Sequence, residues 1–597
     1  MMRAVFIVLG LLWSLPASAQ TPHTIACNAG VAAIESLMNS RSVVDGDTVV
    51  ITGSCTITDT IDIPTKAITV AGQGIGVTVL TSGLVACCGS SQVPPLIRWA
   101  TKSSGTSRLT GFSFLAGTNC AAGCGAGHNG YVTITGGSKN LRIDHNLFEI
   151  KRQTMMDIEG WIYGVIDHNT VNCEQSINGT SYILVGPRHT IWDTGGNYGD
   201  QSFARPSSMG SGVSTTGSGV GYTGIENLFF ENNEVNGNRH GVNYCAFIDA
   251  DRGARIVARW NVLRDASIAT HGLESDGRYR SVRHQETYRN YIRAEQTNSN
   301  PAGSTRGGTG RAFQNVLSQG GMSFQFSFSL NTFRSQDSSN RGFGPWGHCG
   351  DRNVTLVRNG GVATATVTSG ATLLCAPSRT SAANSWITMS GAGAPFDGTF
   401  QITDTIGGSN SNCANFNQTG TQFTYNVTAS GATSSSGTYR SPFDTNTDSA
   451  GYRCMDQAGA GQTISFSGSN PVPVASSQAA LEPFYLWDIY RDGVFFNNVS
   501  NSAPGVIVAN RDYYSLAASD SGLRSARPAC TTDGQAYWST DGGGNWNQES
   551  ATDHLFHEPG GTDITHTLGE DGGLDRCNGT SWVNDWYVPY AYPHPLR

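Results

Sequence analysis

The chain has 597 residues with 74 glycines, a charged fraction of only 14% and a net charge of −8. High glycine with little charge is the composition of extended β-architecture with many tight turns, not of helical bundles. The acidic balance argues against a nucleic-acid partner. No stretch reaches the roughly eighteen consecutive apolar residues of a membrane-spanning helix.

Residues 1–20 read as a secretory signal, with Arg3 as the basic start, Ala4 to Trp13 as the apolar segment and Ala17-Ser18-Ala19 as a small-residue cleavage site. That implies a secreted protein, extracellular or periplasmic. All fourteen cysteines follow this segment, an even number suited to an oxidising compartment. Segment membership suggests the pairs Cys27–Cys55, Cys375–Cys413 and Cys530–Cys577. Cys120, Cys124 and His128 nominally offer three zinc ligands, but no fourth is nearby, and a local disulfide is the simpler reading.

Ala29 to Asn39 has helical apolar spacing at Val31, Ile34, Leu37 and Met38, with Asn28 in position to cap it. Beyond it the chain breaks into short β-branched runs. From about residue 96 to 335 a unit recurs: an alternating apolar run, an asparagine and a second short apolar run. The asparagines are Asn146, Asn169, Asn233, Asn261, Asn290 and Asn315, with gaps of 23, 64, 28, 29 and 25 residues. A period in this range marks a solenoid, and the runs are too short and too β-branched for paired helices. In a coiled sheet each rung stacks about 4.8 Å above the last. Asparagine at each corner tolerates the left-handed region, and its amide can bond the equivalent amide one rung away. The expectation is an all-β, right-handed parallel β-helix with an N-terminal capping helix.

The unit lapses over 353–438, which is nearly uncharged and rich in Thr, Ser and Gly, and reads as a small all-β module inserted into the solenoid. The expected organisation is a solenoid over 21–352, the module, final rungs over 439–520, and a loop-rich tail over 521–597. The tail carries Trp538, Trp546, Trp582, Trp586, Tyr587, Tyr590 and Tyr592. It reads first as a cap shielding the core; the alternative is a platform for sugar rings.

The opening rungs carry a resemblance. A capping helix followed by Asp45-Gly46-Asp47-Thr48-Val49 and by Lys66-Ala67-Ile68-Thr69-Val70-Ala71-Gly72-Gln73-Gly74 is similar to the start of secreted bacterial β-helix proteins of the pectate-lyase-like superfamily. The superfamily's usual Pro-Ala-Gly-Thr is replaced by Thr52-Gly53-Ser54-Cys55, while Ile143-Asp144-His145 looks like a pectate-lyase segment. Segments such as GPWGHC, GYRCMDQAG and the terminal YPHPL look like one bacterial subgroup, and Phe396 to Thr403 resembles short β-repeats of phage-tail and bacterial surface proteins. The resemblance implies a choice among lyases, hydrolases, esterases, epimerases and non-catalytic binders of extracellular polysaccharide, and a fold does not choose among them.

The residues narrow that choice. Asp249 to Glu286 is dense in chemistry on roughly two rungs. Cleaving a uronate polymer by β-elimination needs a base, a cation to neutralise the carboxylate and an acid for the leaving oxygen. His271, Arg278, Arg283 and Glu274 form the candidate catalytic set, with Arg252, Arg280, His284 and Glu286 as substrate-binding groups. Asp249, Asp251 and Asp276, which Glu274 could join, are hard oxygen donors for Ca²⁺. The only lysines are Lys66, Lys102, Lys139 and Lys151, so no lysine base exists in this cluster, which leaves His271 as the preferred base. The plain alternative is an arginine–carboxylate ladder tying rungs together on a solvated face.

A second pattern is Asp144-His145-Asn146 and Asp167-His168-Asn169, 23 residues apart. If that spacing is one rung, Asp144 stacks on Asp167 and His145 on His168. Stacked carboxylates perturb one another and could suit a hydrolase or a cation site; a turn repeated for its packing is the alternative. Of the aspartate strings typical of β-helix hydrolases only Asn446-Thr447-Asp448 occurs, alone in a polar stretch. The functional expectation is a uronate polysaccharide lyase, with a hydrolase using paired carboxylates and a non-catalytic adhesin as rivals.

Overall fold

The structure, a computed structural model, describes residues 22–84, 94–115, 131–150, 155–173 (without 161), 182–188, 227–237, 245–250, 254–270, 284–294, 302–318, 328–333 (without 331), 352–368, 386–406, 422–440, 456–462, 483–496, 507–548 (without 545) and 571–597, with a few shorter pieces. The signal segment, Cys120, Cys124, His128, the pair Cys375–Cys413 and Asn446-Thr447-Asp448 lie outside the described residues.

The chain is a parallel β-helix. Three long parallel sheets of 12, 11 and 10 strands run side by side, and each rung visits them in turn. One rung is Leu141–Asp144 on the first sheet, Leu147–Ile150 on the second and Met156–Gly160 on the third. The next begins at Gly164–Asp167, with Leu141 opposite Gly164 and Asp144 opposite Asp167. Alternation sends every second side chain inward. Ile143, Ile166, Phe230 and Ala258 enter the core from the first sheet, Phe148, Val171 and Leu263 from the second, and Ile134, Ile158 and Ile268 from the third.

The asparagine repeat is the corner between the first and second sheets. Asn146, Asn169, Asn233, Asn261, Asn290 and Asn315 form a continuous buried ladder: from Asn169 onward each side-chain oxygen accepts the backbone and side-chain N–H of the asparagine one rung earlier at 2.9–3.1 Å, and Asn146 accepts the Phe112 N–H. The left-handed residue is not the asparagine. It is the one before it: His145, His168, Asn232, Trp260, Arg289 and Gln314 have φ between 49° and 60°. The turn is made one residue early, so the asparagine can point inward and bond the carbonyls around it.

The solenoid leaves its path after the rung of Thr309–Phe313. Six strands from Arg352 to Arg440 form a closed antiparallel barrel with its own core of Val354, Ile387, Phe423 and Tyr439. The coil resumes at Phe484–Trp487, where Arg311 stands opposite Tyr485 as if nothing intervened.

At the start, the helix spans Val31–Asn39 and buries Ile34 and Met38. Asn28 does not cap it. Cys27–Ala29 form a short 3₁₀ turn and Gly30, at φ 89°, precedes the helix without any side-chain cap. The other end is served by Lys66, whose Nζ donates to the carbonyls of Met38, Ser40 and Val43 at 2.7–3.0 Å. Cys27 is bonded to Cys55 and Cys530 to Cys577. Among the described residues no helix is long and apolar enough to cross a membrane.

Candidate functional site

The outer face of the first sheet holds two kinds of surface, and the C-terminal segment decides which is which. Residues opposite one another along one outward column are Asp144, Asp167, Glu231, Arg259, Tyr288, Phe313 and Trp487. From Glu231 onward this column is covered. Tyr288, Phe313 and Trp487 stack at 4.5 and 4.3 Å, and Trp538, Trp546, Tyr587 and Tyr590 pack over them in one apolar cluster.

The tail is locked on by buried charge. Arg259 pairs with Glu231 at 2.5 Å and donates to the carbonyls of Tyr590 and Ala591 at 2.7 and 2.8 Å. Tyr587 donates its hydroxyl to Glu286, and Arg289 reaches Asp571 at 2.6 Å. The Arg311 guanidinium lies over the rings of Trp586 and Tyr587. The tail therefore closes along the side of the coil. Its Trp538, Trp546, Trp586, Tyr587, Tyr590 and Tyr592 are buried, which removes them as a platform for sugars.

His594 belongs to this strap. Burial, with the Arg259 charge beside it, holds the imidazole down to about 3 from its ordinary 6.5. A depressed histidine stabilises the fold above pH 6.5, and that stabilisation is lost as pH falls toward 3, at about 1.4 kcal/mol per pH unit. Chemical denaturation between pH 6.5 and 5 is expected to show this slope, and His594→Gln is expected to flatten it.

The tail touches the earlier rungs at Arg142, which donates to the Leu596 carbonyl, and leaves the corner beside it open. His145 and His168, at successive turns, have 57% and 36% of their side chains exposed. Their rings are parallel within 3° and 5.1 Å apart. Each Nδ1 lies 2.8 Å from the carboxylate just before it, His145 on Asp144 and His168 on Asp167. Both carboxylates are fully buried. Arg108 grips Asp144 through Nε and Nη2 at 2.7 and 2.5 Å, and Arg142 grips Asp167 at 3.1 and 3.0 Å. Burial raises the Asp144 carboxyl, but the hydrogen bonds from Arg108 and His145 outweigh it and hold the group below its ordinary value. A carboxylate that only accepts favours the proton on Nδ1, and a ring carrying that single proton presents a lone pair at Nε2.

The strap marks the end of this open corner. Asn232, next in the corner column, accepts from Tyr592 Oη at 2.9 Å and from Arg597 at 3.1 Å, and Arg142 donates to the Leu596 carbonyl. One rung further Trp260 is already under Tyr592.

Of the cluster expected over Asp249 to Glu286, three members are described, and they stand on two sheets. Asp249 is on Cys245–Ala250 of the third sheet, between the inward Ile248 and Ala250. His284 and Glu286 are on His284–Tyr288 of the first sheet, bonded to each other at 2.9 Å and fully buried beneath the tail. Glu286 accepts the Tyr587 hydroxyl of the tail there. Asp251, Arg252, His271, Glu274, Asp276, Arg278, Arg280 and Arg283 lie outside the described residues. Among the described residues no three His, Cys, Asp or Glu side chains gather as a metal site.

No protein-family model and no curated protein matches the sequence. Among solved structures the chain is similar to tailspike proteins of E. coli bacteriophage HK620. One double mutant aligns over 72% of this chain and 88% of its own at 9% identity and TM-score 0.24. A mutant in complex with pentasaccharide aligns over 69% and 87% at 9% identity and TM-score 0.16. The superposition is loose, and the β-helix rests on the strand pairing above.

Proposed function

We propose that this is an extracellular or periplasmic polysaccharide-active β-helix that cleaves an acidic, uronate-containing glycan by β-elimination, with the His145–His168 corner as its working site. The observation that supports this most is the pair of exposed imidazoles, each with Nδ1 held by a buried carboxylate and Nε2 facing outward. A neutral ring can take the C5 proton of a uronate at Nε2, and its neighbour one rung away, when doubly protonated, can give its Nε2 proton to the leaving oxygen. Arg108, one-third exposed and bonded to Asp144, offers a cation for the sugar carboxylate. Hydrolysis through paired carboxylates needs two acids that reach the substrate. Asp144 and Asp167 are buried and gripped by arginine, which favours imidazole chemistry here. The resemblance of the opening rungs to the pectate-lyase-like superfamily agrees with this reading.

The connection between Ala266–Thr270 and His284–Tyr288 carries His271, Glu274, Arg278 and Arg283 and is a second source of the same chemistry. Its flanking strands belong to the third and the first sheet. Arg252 and Arg280 would bind substrate there, and Asp249, Asp251 and Asp276 would supply oxygen ligands to Ca²⁺.

The reaction class is tested by incubating the full protein with a panel of uronate polymers, with and without Ca²⁺, following unsaturated-uronate absorbance and reducing ends. Absorbance rising with reducing ends is expected. Reducing ends without absorbance would mean a hydrolase. Polymer retained in a pull-down with neither signal would mean a non-catalytic binder.

A further inference from the structure

We propose that Arg597, brought in by the C-terminal strap, is a specificity-determining residue that binds a glycan carboxylate, on the opposite side of the two imidazoles from Arg108. This rests on the polysaccharide reading of the corner and adds a subsite to it. The outer face of the first sheet shows what the strap supplies. Arg108, Arg142, Val165 and Phe229 stand opposite one another in one column, and Thr110, Asp144, Asp167 and Glu231 in the next. Arg108 reaches across to Asp144 and Arg142 to Asp167, each one rung on. At the following rung the first column offers only Val165 to Glu231. Arg259 holds one oxygen of Glu231 from the rung beyond, and Arg597 of the strap lies 3.6 Å from the other. Arg597 donates to Asn232 Oδ1 at 3.1 Å, with its guanidinium over the Tyr592 ring. Asn232 is the corner residue one rung after His168 and has the same φ of 53°. The strap thus continues the row of guanidiniums where the sheet column turns apolar.

The geometry limits which acidic groups can be held. Arg142 is fully engaged, with Nε and Nη2 on Asp167 and Nη1 on the Leu596 carbonyl. Arg108 uses Nε and Nη2 on Asp144, and its Nη1 makes no hydrogen bond among the described residues. Arg108 is bonded at the rung of Asp144 and Arg597 at that of Asn232, two rungs or about 10 Å apart along the coil. A pyranose advances a 1,4-linked chain by about the height of one rung. A chain lying along the corner therefore meets the two arginines with carboxylates two sugars apart, and His145 and His168 lie between them. A guanidinium grips a carboxylate through directed N–H groups, a fit that an ammonium does not reproduce. The ligand class is an oligo-uronate of at least three sugars with acids on both outer ones. Uronate homopolymers meet that description, and so do disaccharide-repeat polymers with one uronate in each repeat.

The test is calorimetric binding to the full chain of oligomers from polygalacturonate, alginate and hyaluronate, beside the same oligomers with their carboxyls reduced to alcohols. Acidic trimers and longer oligomers are expected to bind, and Arg597→Gln and Arg108→Gln each to weaken them by roughly tenfold. Arg597→Lys, which keeps the charge and loses the fork, is expected to fall between parent and Arg597→Gln. Carboxyl-reduced oligomers are expected to bind parent and variants alike, as are dimers, which cannot span both arginines. On any polymer that is cleaved, Arg597→Gln is expected to raise KM and to leave kcat nearly unchanged. Parent affinity in Arg597→Gln would overturn the inference. So would equal losses on acidic and reduced oligomers, which would mark a loosened strap, or the absence of binding by every acidic oligomer. Arginine-dependent binding without unsaturated product leaves it standing and sinks the lyase. Unsaturated product formed by Arg597→Gln at the parent KM sinks this inference alone.

Discussion

Asn261→Ala is expected to destabilise the protein by about 3–5 kcal/mol, an effect far above that of an ordinary surface substitution. The amide of Asn261 donates to the carbonyls of Phe230 and Arg259 and to Asn290 Oδ1 at 2.9–3.0 Å. Its oxygen accepts the backbone and side-chain N–H of Asn233. Alanine would leave the Asn233 backbone N–H buried with no acceptor and break the ladder in the middle, where each bond polarises the next. Asn315 is the contrast. It ends the ladder, with Ile489 rather than asparagine at the next corner, and donates to the Thr287 carbonyl. Asn315→Ala takes the same acceptor from Asn290 but breaks no onward bond to a further asparagine, and is expected to cost less. Guanidinium denaturation of the two variants side by side checks this; equal and small effects would mean that the ladder is incidental to the coil.

Arg259→Leu is the second large effect. Removing the guanidinium takes from the fully buried Glu231 its 2.5 Å partner, and breaking such a pair costs about 3–5 kcal/mol. It also deletes the two bonds to the Tyr590 and Ala591 carbonyls that hold the strap to the coil. Limited proteolysis is expected to cut the terminal segment in the variant and to spare it in the parent. Arg259→Leu combined with Glu231→Leu is expected to recover much of the stability, because no lone charge then remains buried. A double variant as unstable as the single one would point to lost packing as the cause.

The coil was legible because it is periodic. Six asparagines at near-rung spacing mark one corner, and the 23-residue separation of the two Asp-His-Asn strings stacks them as expected. Cys27–Cys55 and Cys530–Cys577 pair as segment membership suggested. What periodicity does not reveal is which side of a three-sided rung a residue faces when connections differ in length. Asp249 and His284 are 35 positions apart and sit on different sheets.

The strap escaped notice for another reason. Glu231, Arg259, Glu286 and Arg311 look like a solvated charge ladder in the sequence, yet they are buried. The signal was their outward neighbours. Phe229, Val257, Tyr288, Phe313 and Trp487 are apolar on the side away from the core, and strands apolar on both faces are covered on both. The Asp-His-Asn pattern is the candidate site because its two imidazoles are exposed while their carboxylates are buried.

The most direct test of the corner site is kcat/KM on whichever uronate polymer yields unsaturated product, compared among the parent, His145→Asn, His168→Asn and His271→Ala. A fall of about a hundredfold in each corner variant, carried by kcat, is expected for lost general acid–base groups. Parent-like rates in both corner variants, with the loss confined to His271→Ala, would contradict the assignment and move the chemistry to the connection between the third and first sheets.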